Sequence, residues 1–504
     1  MHAETFSING RAATGIEGLD QILGGGFPRN RLHLVEGNSG TGKTTLALQF
    51  LRDGCRRNEP CLFITLSETR DELLAVARSH GWSLDGILIH EMVPPEENLR
   101  PEAQYTLFHP SEVELGETIR TVFDEVDRIK PARVVFDSLA ELRLLTQDNL
   151  QYRRQILSLK QFFAGRRCTV LLLDDRSNER GEPKPRSLAH GVLLLEQLAP
   201  LYGAERRRLR VIKMRGVRYR GGFHDFKIET GGLAVFPRLV AAEHQRPYQR
   251  DQLASGVPGL DLLLGGGLSR GTSTLIIGPA GVGKSALAAR YALSAAHRGE
   301  RATVFVFDES VSTYLARSVG LGMDMTPEIT AGRLLLQQVD PAELCPGEFI
   351  QRVRRAVEQE QTRVLVIDSL NGYLNAMPEE RFLTLQLHEL LMYLGHQGVV
   401  TILVVAQHGI LGGAMQTPLD ISYLADKVVL LRNFEANGEV RQAISVVKKR
   451  CGPHERTVRE YQLGPRGLDV GPPLREFHNV LTGVPVFGGR LSALLGESHE
   501  RAGA

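Results

Sequence analysis

Thr14-Gly15-Ile16-Glu17-Gly18-Leu19-Asp20, followed by Leu23-Gly24-Gly25-Gly26, returns as Ser255-Gly256-Val257-Pro258-Gly259-Leu260-Asp261, followed by Leu264-Gly265-Gly266-Gly267. The offset of 241 residues also carries Gly37 to Gly278, Lys43 to Lys284 and Glu68 to Glu309 without a gap. Self-similarity over such a span marks a duplicated structural unit. Farther along, Val134-Val135-Phe136-Asp137-Ser138-Leu139 matches Leu365-Val366-Ile367-Asp368-Ser369-Leu370 at an offset of 231, and Lys213-Met214-Arg215 matches Lys448-Lys449-Arg450 at 235. Surface loops absorb small insertions of this kind.

A chain of 504 residues exceeds the ~250–300 at which a single core stops growing, so two domains are expected. The repeat places them at 1–236 and 253–485, with a polar linker over 237–252 containing Pro237 and Pro247, and a tail over 486–504. Leu481, Val484, Val486 and Phe487 precede a polar end, which fits a short regulatory tail or a frayed terminus. Within each half, aliphatic runs of strand length alternate with helical patterns. They are Leu32–Glu36, Cys61–Leu66, Arg133–Phe136 and Thr169–Leu173, then Thr274–Ile277, Thr303–Phe307, Arg363–Ile367 and Val400–Val405. This alternation predicts an α/β fold, each half a doubly wound, mainly parallel sheet flanked by helices.

Gly37-Asn38-Ser39-Gly40-Thr41-Gly42-Lys43-Thr44 follows one of these strands and opens a helix, and Gly278-Pro279-Ala280-Gly281-Val282-Gly283-Lys284-Ser285 repeats it. The context is that of a phosphate-binding loop. Backbone N–H groups of the loop and the helix N-terminus face the phosphates, Lys43 and Lys284 reach the β- and γ-oxygens, and Thr44 and Ser285 are placed to ligate Mg²⁺. Asp137 and Asp368 each end a hydrophobic strand and precede serine, the pattern of the carboxylate that holds the Mg²⁺ shell.

A second class of carboxylate follows the next strand, in Ser67-Glu68-Thr69 and Asp308-Glu309-Ser310. Glu68, and Glu309 or Asp308, could accept a hydrogen bond from a nucleophilic water or hydroxyl, or they could cap the helix that begins there. Sequence position leaves both open.

Composition narrows the class. Apolar residues make up 42% and charged residues 23%, with 60 basic against 58 acidic side chains, so no overall electrostatic footprint for DNA is present. Five cysteines form no C-x-x-C pair, which fits a reducing cytoplasm. Met1 to Arg11 has no apolar signal-peptide core, and the longest aliphatic runs fall short of the ~18 residues of a membrane span.

The glycine box, P-loop, Glu-containing strand end, aliphatic-Asp-Ser and late K-x-R, all present twice, closely resemble the KaiC family. The likeness covers about residues 12 to 485. It implies two tandem RecA-like P-loop NTPase domains in a double-ring homohexamer binding ATP and Mg²⁺ between subunits, with an ATPase N-terminal ring and an autokinase and autophosphatase C-terminal ring, and possible regulatory protein partners. It extends the nucleotide contacts to Thr45, Ser79, Ala286 and His454, and counts Asp308 among the metal-side groups. Lys213, Met214 and Arg215, with Lys448, Lys449 and Arg450, correspond to residues reaching the neighbouring subunit's nucleotide. The family's Glu-Glu pair is Ser67-Glu68 in one half, which has lost an acid, and Asp308-Glu309 in the other. Leu321 stands where the family stacks a tryptophan on adenine, and Gln442, beside Arg441, replaces another arginine. Ser422 is retained as phosphoacceptor while Tyr423 replaces the family's threonine, and Thr417 is a second candidate site. A RecA- or DnaB-like DNA motor, or an ATP-dependent assembly scaffold without phosphotransfer, are the alternatives, and neither a zinc ribbon nor a basic, aromatic DNA-binding segment supports the first.

Overall fold

The structure, a computed structural model, describes residues 10–92, 110–144, 149–175, 185–199, 203–375, 383–407, 423–436, 438–482 and 486–488. The chain divides into two compact units, Met1–Arg238 and Leu239–Ala504.

Each unit is built on a nine-stranded sheet of the same order. In the first, the order is Ile87–Glu91, Cys61–Thr65, Arg133–Asp137, Thr169–Asp175, Leu32–Gly37, Gly191–Leu198, Arg206–Met214, Phe223–Glu229 and Gly232–Phe236. The first six run parallel and the last three antiparallel. The second unit repeats this with Leu334–Gln338, Arg301–Val306, Thr362–Asp368, Val400–Ala406, Ser273–Gly278, Lys427–Ala436, Glu439–Lys449, Val458–Gly464 and Gly467–Pro473. The aliphatic strand runs are buried on both faces because helices cover both sides, which is why they read as continuous rather than alternating patterns.

The glycine box packs its short helix against the last strand. Asp20 Oδ1 accepts from the Thr14 backbone N–H at 2.8 Å, and Asp261 Oδ1 from that of Ser255 at 2.7 Å, which fixes the turn before each helix. A methyl group added at Gly18 would stand 1.9 Å from Val235 O, and one at Gly259 2.3 Å from Val470 O. The box therefore needs glycine for close approach of backbone to backbone. Within the 237–252 stretch, Leu239 and Ala241 are buried in the second unit's core, and the Ala241 N–H donates to Glu389 at 3.1 Å.

Gly259→Ala forces the helix off the Gly467–Pro473 strand and lowers the second unit's stability by ~1–3 kcal/mol, read as a lower urea midpoint of its transition. Gly320→Ala, on the Val311–Gly320 helix with nothing within 4 Å of the added methyl, leaves that midpoint unchanged or raised.

Candidate functional site

In both units the phosphate-binding loop lies at the carboxyl end of an inner strand. Gly42 and Gly283 take φ of 94° and 92°, left-handed values that let the chain turn straight into the helices Lys43–Arg56 and Lys284–His297. Ser39, Gly40 and Thr41, and Ala280, Gly281 and Val282, form the loops, while Thr45 and Ala286 are buried in the first helical turns. Lys43 Nζ donates to Gly37 O and Asn38 O, each at 3.0 Å, and pairs with Asp175 at the end of the adjoining strand. Lys284 Nζ donates to Pro279 O at 2.6 Å, and the position matching Asp175 is Ala406. Burial lowers the Lys284 pKa to about 8, opposed by nearby Asp368.

Asp137 and Asp368 close this geometry from the neighbouring part of the sheet. Thr44 Oγ1 donates to Asp137 Oδ2 at 3.1 Å. Burial pushes the Asp137 carboxyl up to about 7, with Glu68 adding to the rise and the Thr44 hydrogen bond opposing it. Asp368 is pushed by burial to about 6, opposed by a hydrogen bond from Ser285, and its Oδ2 is buried without a partner. Hydroxyl and carboxylate oxygens side by side are hard donors that suit Mg²⁺. Among the described residues no group of three or more His, Cys, Asp or Glu side chains converges as a metal cage, so the donor set fits an ion completed by phosphate and water oxygens.

The helix-capping alternative for the second acids does not hold. Thr69 caps the Arg70–Ser79 helix in a capping box with Glu72, and Ser310 caps Val311–Gly320 by accepting from the Thr313 N–H at 3.1 Å. Glu68 is instead held through its backbone, its N–H donating to Thr65 Oγ1 at 2.9 Å and its carbonyl accepting from the same hydroxyl at 2.7 Å. Its Oε2 is buried without a partner, and burial raises its pKa, with Glu72 adding and Lys43 opposing. In the second unit both acids are engaged. Asp308 accepts from the Ser369 hydroxyl, and Glu309 pairs with Arg317 at 2.8 Å, an arginine that also lies 4.8 Å from the Tyr314 ring. The position matching Arg317 in the first unit is Val76.

Other candidate residues lie elsewhere. Met214 pairs with Gly191, and Gly191 with His33, so Lys213, Met214 and Arg215 sit at the start of the P-loop strand, the end opposite Gly37. Lys448 and Lys449 pair with Val428 and Lys427 at the matching end of the second sheet. Neither set meets its own unit's phosphate-binding loop. Burial and the charges of Arg215 and Lys160 lower the Lys213 pKa. Lys449 Nζ donates to Leu264 O and Pro453 O, both at 2.7 Å, and His454 is half-buried just beyond. Arg450 donates to Tyr423 O at 2.6 Å and pairs with Asp426 at 3.3 Å. Arg441 sits between Glu439 and Glu460, at 3.6 and 3.7 Å. Ser79 is exposed and donates to Val76 O, and Leu321 packs against the core. Thr417 and Ser422 lie outside the described residues.

A family model described as "ATPase: KaiC" matches residues 12–240 and again 253–475. The chain belongs to the KaiC family of ATPases. Among curated relatives, "Circadian clock protein KaiC3" of Synechocystis sp. is 27% identical over 500 residues, covering 96% of each chain. The "Circadian clock oscillator protein KaiC" of Synechococcus elongatus is 28% identical over 484 residues, covering 94% of this chain and 91% of that one. The duplicated match agrees with the duplicated sheet, and the family assignment extends the ATPase reading across nearly the whole chain.

The buried aspartates predict a pH signature. With its folded pKa near 7 and an ordinary value of 3.8, Asp137 resists ionisation in the fold, so its charge costs no stability well below pH 4 and its full cost above about pH 7. Asp137→Asn therefore stabilises the nucleotide-free chain by ~2–4 kcal/mol at pH 8, and the gain fades on acidification toward pH 4 in denaturant titrations.

Proposed function

We propose that this KaiC-family chain assembles as a double-ring homohexamer that binds Mg²⁺·ATP at both P-loops, hydrolyses it in the first unit and runs serine/threonine autophosphorylation in the second. The assignment serves signalling or clock-type regulation in the cytoplasm, with protein rather than DNA partners. What carries it is one arrangement found twice: a P-loop lysine and first-turn hydroxyl facing a buried strand-end aspartate, with an acid nearby that is free of capping duty. Among the described residues no helix is long and apolar enough to cross a membrane.

In this reading Lys43 and Lys284 exchange their loop carbonyls for phosphate oxygens, and Lys43 also gives up Asp175. Thr44 with Asp137, and Ser285 with Asp368, hold Mg²⁺, which supplies charge neutralisation on the β- and γ-oxygens. Glu68, with one buried oxygen unpartnered and a raised pKa, is suited to accept the proton of an attacking water. The Lys213 and Lys448 strand ends lie away from their own loops, the placement needed for cations that serve a neighbouring copy. Arg450 ties the carbonyl of Tyr423, next to Ser422, to one of these strand ends, which would hold the acceptor segment beside that neighbour's phosphates.

The purified chain, incubated with γ-labelled ATP, should release labelled phosphate and retain label. With the second P-loop silenced by Lys284→Ala, Glu68→Gln cuts release by about a hundredfold or more. Ser422→Ala abolishes retention, with Thr417→Ala removing any residue of it. Label that persists in Asp308→Asn/Glu309→Gln would refute autokinase activity in the second unit.

The Arg317 pair makes a further, separate forecast. With the first P-loop silenced by Lys43→Ala, Arg317→Gln frees Glu309 and raises second-unit phosphate release about threefold or more. Arg317→Lys keeps a cation at Glu309 and stays near the parent rate, as measured by steady-state phosphate release.

A further inference from the structure

The serine that follows each strand-end aspartate is buried in both units, and in both its hydroxyl donates to a carboxylate. The carboxylates come from different elements. Ser369 donates to Asp308, at the end of the preceding parallel strand, whereas Ser138 donates to Glu141, on the helix Leu139–Leu144. Glu141 matches Gly372 in the repeat, and Asp308 matches Ser67.

These two differences are one exchange. A methyl group added at Gly372 would stand 2.5 Å from Asp308 Oδ1 and 2.7 Å from Phe307 Cβ, so Asp308 fills the space that a side chain at 372 would need. In the first unit the strand end carries the small Ser67, and the helix position carries the acid instead. A carboxylate reaches the matching serine either way, and two carboxylates brought there at once would contend for one hydroxyl.

We infer that Glu141 is the first unit's counterpart of Asp308: the acidic pair is intact there, with its second member delivered by the helix. The inference rests on the proposed reading of Glu68 as the hydrolytic base, and it makes Glu141 a positioning residue. It fixes the Ser138 hydroxyl, directly after the aspartate proposed to hold the metal.

Two measurements on the full chain test it. The first needs no activity. Ser67→Asp places two acids in one space, and should lower the apparent melting temperature of the first unit by about 3 °C or more, while Ser67→Asp/Glu141→Gly recovers it. Equal melting of the single and double variants would show that the two positions do not compete, and would overturn the exchange. The second measures phosphate release with the second P-loop silenced by Lys284→Ala. Glu141→Gln and Glu141→Gly lower kcat about tenfold or more with KM for ATP unchanged, and Ser67→Asp/Glu141→Gly restores kcat to within about threefold. A double variant no faster than Glu141→Gly, or a Glu141→Gln chain as fast as its parent, overturns the positioning role. Glu68→Gln in the same background separates the two claims: if it leaves release unchanged, the base assignment fails while the melting cycle still decides the exchange.

Discussion

The architecture of both units turns on one electrostatic constraint: an aspartate must be held, largely desolvated, at the end of a central strand beside the first turn of the P-loop helix. Burial, with neighbouring carboxylates adding to it, drives Asp137 and Asp368 toward protonation, to about 7 and about 6. Thr44 and Lys43 oppose that drift at Asp137, and Ser285 and Arg317 oppose it at Asp368. Such a site stores unfavourable free energy in the unliganded fold and releases it when cations arrive, the usual mark of a functional rather than a structural carboxylate. The parallel sheet serves this purpose. Its buried strands end together, so that Gly37 with Asp137, and Gly278 with Asp368, are delivered to one edge by register alone.

That register explains what was legible from residue types. Strands buried on both faces show as unbroken aliphatic runs, and the eight runs singled out correspond to eight of the inner strands within one or two residues at each end. P-loops were legible because glycine spacing and a strand-to-helix context are local properties. The antiparallel half of each sheet was not. In Arg206–Met214 and Glu439–Lys449 the apolar positions are diluted by arginine, lysine and glutamate on half-exposed faces, so no aliphatic run marks them. Capping was ambiguous because Thr69, Asp308 and Ser310 are good cap residues and acids suit a helix N-terminus, and only the hydrogen-bond geometry shows that Thr69 and Ser310 take the task.

The two halves also differ in ways that motif matching passes over. Lys43 has an acid partner in Asp175, where the second unit has Ala406. Glu309 has a cation in Arg317, where the first unit has Val76. One unit thus restrains its P-loop lysine with a strand-end acid and leaves Glu68 Oε2 unengaged, while the other has alanine at that strand end and holds both Asp308 and Glu309. Opposite restraints on the same two groups suit different chemistries: a base with a bare buried oxygen favours attack by water, whereas acids already occupied favour slow turnover of that water.

A duplicated chain carries its own comparison, and the comparison changes how a missing residue should be judged. Read position by position, Ser67 is a lost carboxylate and the first unit looks impaired. Read in the fold, Ser67 and Glu141 are a pair that answers Asp308 and Gly372, because in each unit one carboxylate takes the serine hydroxyl. Substitutions in a close-packed site travel together, since volume vacated by one side chain is available only to a neighbour that can reach it. A carboxylate on the serine after the strand-end aspartate is present in both units, supplied by residues that share no alignment column. A motif records columns, and only the fold shows that the same hydroxyl is being held.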